Sequence, residues 1–405
     1  MRPQLPDSWC WRRLEELATV QTGLALGQNH VADPVELPYL RVANVQDGYF
    51  DLSEVKTVRV ERNRIGRYRL LPGDVLLTEG GDFDKLGRGH IWRGEVPNCL
   101  HQNHIFVVRT NPDLMMPELL AAMASGPYGR AYFLSCSKQS TNLASINSTQ
   151  LKDMPLPVPP RHEQDGIVDV LRIYDDAVTY ANHLIDASDA RLRGLMRQLL
   201  TGQRRLRGFA KHRWKDASFG DLLTESRVPG THGRTAQKLT VKLYGRGVIA
   251  KRETRTGSEE TQYYRRSAGQ FIYSKLDFLN GAFGIVPEAL DGYESTLDLP
   301  AFDVAGTVDV RWLLAFCNRP GFYKKYAKFA NGGRKARRVN PADFLRIVES
   351  VPSLDEQRAI ADVLDTAQRE IDLLKRLRDQ IQQQKRGLMQ KLLTGQIPVP
   401  KETHA

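Results

Sequence analysis

Cysteine is scarce in this 405-residue chain: Cys10, Cys99, Cys136 and Cys317 are scattered, with no CxxC pair among them. That pattern argues against a cysteine zinc site and for a reducing compartment. Long apolar runs are missing too. The opening, MRPQLPDSWCWRRLEEL, has no stretch suited to a secretory leader, and no later run is long enough to span a membrane, so no membrane partner is expected. No GxxxxGK[ST] phosphate loop occurs, nor a Gly-rich strand-to-helix fingerprint of a dinucleotide site. An NPPY-like tetrapeptide, as amino-methyltransferases carry, is absent; Asn340-Pro341-Ala342-Asp343 comes nearest but lacks the second proline and the aromatic, and reads as a helix start. His101 and His104 form an HxxH in LHQNHIFVV, but the segment runs into a strand with no cysteine or carboxylate cluster beside it, which favours ordinary strand-edge histidines over metal ligands. The glycines of Gly80-Gly81-Asp82 and Gly87-Arg88-Gly89 read as loop glycines rather than a phosphate cradle. Catalytic residues, a resident cofactor and a metal are therefore not expected.

Acidic residues are also in deficit, and unevenly so. The whole chain carries a net charge of +11, yet residues 1–157 hold 17 Lys/Arg against 17 Asp/Glu, while residues 209–351 hold 24 against 15. A basic surface attracts polyanions without specifying which one. With 41% hydrophobic and 26% charged residues, the chain has the composition of a globular protein of two or three domains.

What the sequence does contain is a repeat. RGLMRQLLTGQ at 193–203 returns as RGLMQKLLTGQ at 386–396, and the same offset of 193 aligns VPPRHEQDGIVDVL (158–171) with VPSLDEQRAIADVL (351–364). Without a gap, 19 of the 46 positions from 158 to 203 agree with 351 to 396, which identifies a duplication. The offset also pairs Pro127 with Pro320 and Asn147 with Asn340.

Each repeated segment predicts a long helix. A 4,3 spacing from Ile167 runs through Leu171, Tyr174, Val178, Ala181, Ile185, Ser188, Leu192, Leu195 and Leu199, with nine of ten apolar. The second copy gives Ile360, Leu364, Ala367, Ile371, Leu374, Arg378, Ile381, Lys385, Leu388 and Leu392, with eight of ten apolar. A seam of period 3.5 belongs to helices paired in a coiled coil, although each helix could instead pack on its own globular domain. Ser353 with Glu356 fits a capping box, and Gly202 and Gly395 sit where the helices should stop. Some 44 residues would make rods of about 65 Å. Between them, residues 39–45, 75–77, 105–108 and 271–273 suggest strands, and 119–123 and 312–317 short helices. The reading is a mixed α/β (α+β) architecture: a globular domain at 1–158, a long helix at 159–207, a second domain at 208–351, a second long helix at 352–397 and a tail at 398–405. The linkers fall around PLPVPP (155–160) and RRLRGF (204–209).

This order resembles the specificity subunits of type I restriction–modification enzymes. Carrying the likeness are Pro159-Pro160-Arg161-His162-Glu163-Gln164 with the LLTGQ at 199–203, and Pro352-Ser353-Leu354-Asp355-Glu356-Gln357 with the LLTGQ at 392–396. Pro72-Gly73-Asp74-Val75-Leu76-Leu77 followed by Leu86-Gly87-Arg88 also looks like the family's pattern; in the second domain the counterpart, Gly269-Gln270-Phe271-Ile272-Tyr273, lacks the Asp and the LGR element. The resemblance implies two target-recognition domains, each reading one half of a bipartite DNA sequence. It implies long helices that pair antiparallel in a pseudo-two-fold repeat, fix the spacer and dock two methyltransferase subunits. The assembly can also recruit two motor-nuclease subunits. S-adenosylmethionine, ATP and Mg would then be bound by those partners, and the complex would work in a prokaryotic cytoplasm.

Candidate DNA contacts follow from the loop that the offset aligns between copies: Lys138, Gln139, Ser140, Thr141 and Asn142 in the first, and Arg334, Lys335, Arg337 and Arg338 in the second. Gln, Asn, Arg and Lys can present paired donors and acceptors to base edges, and hydroxyls and cations can hold phosphates. Lys85 and Arg88, and Arg246, Lys251, Arg252 and Arg255, are further basic candidates, against the alternative of solvated surface. Two other functions stay open: a stand-alone DNA methyltransferase or nuclease with its own recognition domains, and an architectural or regulatory DNA-binding protein.

Overall fold

The computed structural model describes residues 4–25, 33–81, 86–139, 144–252, 258–330 and 337–399. The chain falls into two compact units, Met1–Asn182 with Arg376–Ala405, and His183–Lys375.

In the first unit a four-stranded antiparallel sheet runs in the order Ala18–Thr22, Ile105–Thr110, Val75–Thr78, Gly89–Ile91. Val75, Leu76 and Leu77 are buried on both faces, as expected of an uninterrupted apolar strand inside a sheet. A short pair, Cys10–Arg13 against Pro155–Val158, closes the unit, so residues 155–158 are strand. The second unit repeats the plan. Its sheet runs Leu223–Ser226, Ala301–Val304, Phe271–Tyr273, Phe283–Ile285, and Lys215–Ser218 pairs with Val348–Val351. Here aromatic rings fill the core: Tyr273 stacks on Phe302 at 5.8 Å and Phe271 on Phe344 at 6.0 Å.

The strands expected at 75–77, 105–108 and 271–273 are present, and the expected short helices lie within Pro117–Ser125 and Val310–Asn318. The strand expected at 39–45 is displaced: it spans Pro34–Leu40, and the chain then turns through a 3-10 segment, Val42–Asn44. The Asn44 side chain explains the break, since it accepts from the Arg41 N–H at 2.9 Å and donates to the Asp51 and Glu54 carbonyls.

The long helices are Arg161–Leu199 and Leu354–Leu392, 39 residues each. Each is about 58 Å long, shorter than the sequence suggested, because the backbone leaves the helix before the glycine. Gly202 and Gly395 both adopt left-handed φ, +71° and +70°. Around Gly395 the N–H of Gln396 reaches Lys391 O and that of Gly395 reaches Leu392 O, the paired bonds of a Schellman stop.

No position of either heptad seam is exposed. Both packing alternatives operate, at different places. Within the first unit Ile167, Val168 and Leu171 enter the globular core together with Met389, Leu392 and Leu393. Further along, Asp175 pairs with Lys385, so the two helices run antiparallel there and Lys385 is tolerated on the seam. In the second unit Leu199 and Leu200 share the core with Ile360, Ala361 and Leu364, and Arg191 pairs with Glu370 at 2.6 Å, again antiparallel.

Candidate nucleic-acid interface

The Glu-Gln dipeptide at the start of each long helix ties the globular part to the helix. Gln164 donates to the carbonyls of Leu114 (2.9 Å) and Pro159 (3.0 Å) and accepts from the Met116 N–H (2.9 Å). Gln357 does the same with Thr307 (3.4 Å), Pro352 (2.9 Å) and Asp309 (2.9 Å). One buried amide thus satisfies three backbone groups in each unit. The neighbouring glutamate takes an indole N–H: Trp9 donates to Glu163 at 2.9 Å, Trp214 to Glu356 at 3.1 Å. Gly395 packs against Pro6 and Trp9, and Gly202 against Trp214, so the LLTGQ segments are the other wall of the same clamps.

Glu356 corrects the expected capping box. Ser353 Oγ accepts from the Glu356 N–H at 3.4 Å, but the Glu356 carboxylate turns away to receive Arg205 Nε and Nη2, both at 2.6 Å. A carboxylate only 1% exposed is better compensated by a guanidinium than by one backbone N–H.

The Pro-Gly-Asp-Val-Leu-Leu element and its divergent counterpart are structurally equivalent. Gly73 and Gly269 both have left-handed φ ahead of the central strand. Asp74 accepts from Arg109 at 2.7 and 2.8 Å and from the Leu71 N–H at 2.7 Å. Gln270 accepts from the Ser267 N–H at 3.0 Å and donates to Asp303 at 2.8 Å. The role survives with the polarity across the strands reversed.

In the first unit the candidate segment at 138–139 is placed beside Gly80–Gly81. Lys138–Gln139 and Ala144–Ser145 form a hairpin, and Gly80–Gly81 adds to it as a third strand. Lys138 and Gln139 therefore lie on a strand of this hairpin, while Ser140, Thr141, Asn142 and Lys85 lie outside the described residues. Leu86 is core, and Gly87, with φ +65°, leaves only 2.3 Å between a hypothetical Cβ and the Phe133 ring. Arg88 Nη2 donates to the Val42 carbonyl at 3.3 Å in a half-buried position, so part of the LGR element holds the Val42–Asn44 segment.

In the second unit Arg337 is exposed and Arg338 is half-buried, 3.7 Å from Asp298. The Val339 N–H anchors this segment on Lys275 O at 3.2 Å. Arg334, Lys335 and Arg255 lie outside the described residues. Arg246 sits in the exposed turn joining Leu239–Val241 to Val248–Ala250, and Lys251 and Arg252 follow that hairpin, also exposed. The sequence reading missed Lys242 and Tyr244 in the same turn. Tyr244 is 65% exposed with φ +57°, held by its N–H to Asn280 O at 2.9 Å. An exposed aromatic between cations can stack or hydrogen-bond on a nucleic acid. Tyr49, 59% exposed, is the corresponding omission in the first unit; its turn is tied to Gly89 through the Gly48 N–H at 3.1 Å.

The two histidines part company. His101 is buried with Nδ1 2.9 Å from Tyr68 O, and burial pushes its pKa down to about 4. His104 pairs with Glu79 at 2.5 Å on the surface. Among the described residues no group of three or more His, Cys, Asp or Glu is placed to hold a metal, and no helix is long and apolar enough to cross a membrane. Burial pushes the Cys99 thiol up to about 12 and raises that of Cys317.

Residues 6–187 match the family model described as type I restriction modification DNA specificity domain. The putative type I restriction enzyme MjaX specificity subunit of Methanocaldococcus jannaschii is 24% identical over 420 residues, covering 98% of this chain and 95% of that protein. The type I restriction enzyme EcoKI specificity subunit of Escherichia coli is 24% identical over 213 residues, 51% of this chain and 44% of that protein. Among solved structures, the HsdS subunit from Thermoanaerobacter tengcongensis superposes with a TM-score of 0.54 at 16% identity, over 97% of this chain and 98% of that one. At that identity the superposition speaks for the fold.

Proposed function

We infer that this chain belongs to the specificity subunits of type I restriction–modification systems and recognises DNA for the complex. The observation that carries this is the doubled build: two units with the same sheet order and the same Gln and Glu–Trp clamps, on a chain alike over nearly its whole length to a specificity subunit. Each unit reads one half of a bipartite target. The first unit uses the hairpin and loop around residues 138–142 with the 85–88 segment. The second uses residues 334–338 with the turn carrying Arg246, Lys251 and Arg252. The long helices set the spacer and dock two methyltransferase subunits; motor-nuclease subunits can join them. The chain itself is non-catalytic, S-adenosylmethionine, ATP and Mg belonging to the partners, and it acts in a prokaryotic cytoplasm.

The test is co-expression with a type I methyltransferase subunit encoded beside it, followed by light scattering and methylome sequencing. The expected result is a complex of two methyltransferases per chain and methylation at one bipartite sequence that vanishes when this gene is deleted. A chain that stays alone, or that methylates DNA unaided, would overturn the reading.

A further inference from the structure

Within the second unit, the last turns of the first long helix lie over the helices Val310–Asn318 and Pro320–Lys325 and the strand Val348–Val351, forming an open cavity of about 840 Å³. That volume is within the usual range of small-molecule sites, roughly 300–1,000 Å³. Met196, Leu200, Trp214 and Phe316 supply its apolar surface, and four cations line it, Arg193, Arg197, Arg319 and Lys325, against the single carboxylate of Glu349.

The internal repeat shows why the cavity exists. Its counterpart positions in the first unit, 193 residues earlier, hold bulky side chains. Tyr128 stands where the second unit has Gly321, Tyr132 where it has Lys325, and Leu156 where it has Glu349. Tyr128 and Tyr132 pack on the first core and donate to the carbonyls of Pro155 (2.6 Å) and Gln150 (2.7 Å). Tyr128 also meets Trp11 at 5.8 Å, and the residue in Trp11's place, opposite Ser350, is Asp216. Three aromatic rings have thus been exchanged for a glycine, a lysine and an aspartate.

The charges are not balanced internally. Lys325 (2.9 Å) and Arg319 (3.7 Å) share Glu349, which also accepts from the Tyr326 hydroxyl at 2.6 Å. Arg319 donates to Leu200 O at 3.1 Å and lies 3.8 Å above the Phe316 ring, yet its buried Nε meets no acceptor. Arg193 and Arg197 are exposed at the mouth, one turn apart, and make no ion pair with the described residues. Two guanidinium forks at i and i+4 can bracket a phosphate, each offering paired donors.

We propose that this cavity binds a nucleotide-sized organic anion, its flat body against Met196, Leu200, Trp214 and Phe316 and its phosphate at Arg193 and Arg197. One such ligand binds per chain, because the first unit fills the equivalent space. The proposal goes beyond DNA recognition and stands on different residues.

Calorimetric titration of the full chain with ADP tests it, with adenosine and tripolyphosphate as the two half-ligands. The expected result is one ADP per chain, with each half-ligand at least about ten-fold weaker. Arg193→Ala with Arg197→Ala should weaken ADP by about 10–100-fold, the usual loss for charge-assisted contacts. Gly321→Tyr, which restores the first unit's side chain, should abolish binding while thermal melting and DNA affinity stay unchanged. Should Gly321→Tyr fail to fold, the surface Arg pair still decides. The proposal is overturned by absence of ADP binding at millimolar concentration, by affinity indifferent to the Arg pair, by two equal sites per chain, or by displacement of ADP with a mixed-sequence duplex, which would assign these cations to DNA.

Discussion

Removing the Glu356 carboxylate should cost far more than removing its counterpart Glu163, although the two occupy the same place in the repeat. Glu356 is 1% exposed and receives two Arg205 bonds at 2.6 Å besides the Trp214 indole, and the Arg205 side chain is itself only 19% exposed. Glu163 is half-buried and, among the described residues, serves only neutral donors, Trp9 at 2.9 Å and Ser8 at 3.3 Å. Breaking a buried ion pair from one side costs about 3–5 kcal/mol, since the orphaned guanidinium stays desolvated. Arg205 keeps its bond to Phe209 O at 2.9 Å and some solvent, which places Glu356→Ala near the lower bound, about 3 kcal/mol. Loss of a neutral donor's bond to a partly exposed carboxylate costs about 1–2 kcal/mol. For units of this size about 1 kcal/mol shifts melting by about 2–4 °C, so Glu356→Ala should lower the second unit's transition by roughly 10 °C and Glu163→Ala the first unit's by roughly half that or less. Glu356→Gln, which keeps an acceptor for Trp214 but removes the charge, should fall between. Differential scanning calorimetry of the three variants reads this directly. Equal shifts for Glu163→Ala and Glu356→Ala would refute the argument that the ion pair dominates the second clamp.

Three further expectations follow from other contacts. Alanine at Arg334, Lys335, Arg337 and Arg338 should weaken DNA binding and reduce the log–log salt slope by about 0.9 per phosphate contact removed, measured by anisotropy at several salt concentrations; unchanged affinity and slope would take this segment out of the interface. His101, whose pKa burial lowers from 6.5 to about 4, is protonated only in the unfolded chain between those values, so the first unit should lose up to about 3 kcal/mol as pH falls from 6.5 to 4. His101→Gln should flatten urea-derived stability across that window, and an equally steep variant would assign the slope to carboxylates. Arg109→Asp alone should cost about 3–5 kcal/mol by placing two carboxylates together, whereas adding Asp74→Gln, which copies the second unit's Gln270–Asp303 pair, should restore about half; additive losses in the double-mutant cycle would deny the equivalence.

The duplication, the long helices and most central strands were legible in the sequence because helical periodicity and near-identical helix ends survive point changes. The clamps were half legible. The Glu-Gln dipeptide stood out at an offset of 193, but its tryptophan partners, Trp9 and Trp214, lie 205 apart, since the second globular segment is shorter, so a fixed offset never aligns them. Ser353 and Glu356 matched a capping box by spacing alone; burial beside Arg205 decided otherwise. The second unit's central strand lost its marker for a similar reason, because Gln270 and Asp303 take the places of Asp74 and Arg109 with a different residue type at each position. Tyr49 and Tyr244 escaped notice because a single aromatic in a turn carries no pattern; only their exposure in the fold marks them. The loops nominated for reading bases are aperiodic, and spacing could nominate them only through the repeat.

The clamps also carry a historical consequence. Each unit borrows its last wall from the other repeat: Leu392, Leu393 and Gly395 close on Trp9 and the first core, while Leu199, Leu200 and Gly202 close on Trp214 and the second. A polypeptide ending near residue 203 would hold both halves of one clamp, Trp9 with Glu163 and the Leu-Leu-Thr-Gly-Gln end, without joining them to each other as the full chain does. Two copies of it would complete one another by exchange. Tandem fusion of a half-length gene encoding such a symmetric pair would leave each half free to change its loops, and to open a cavity on one side only, while the shared walls stay in place.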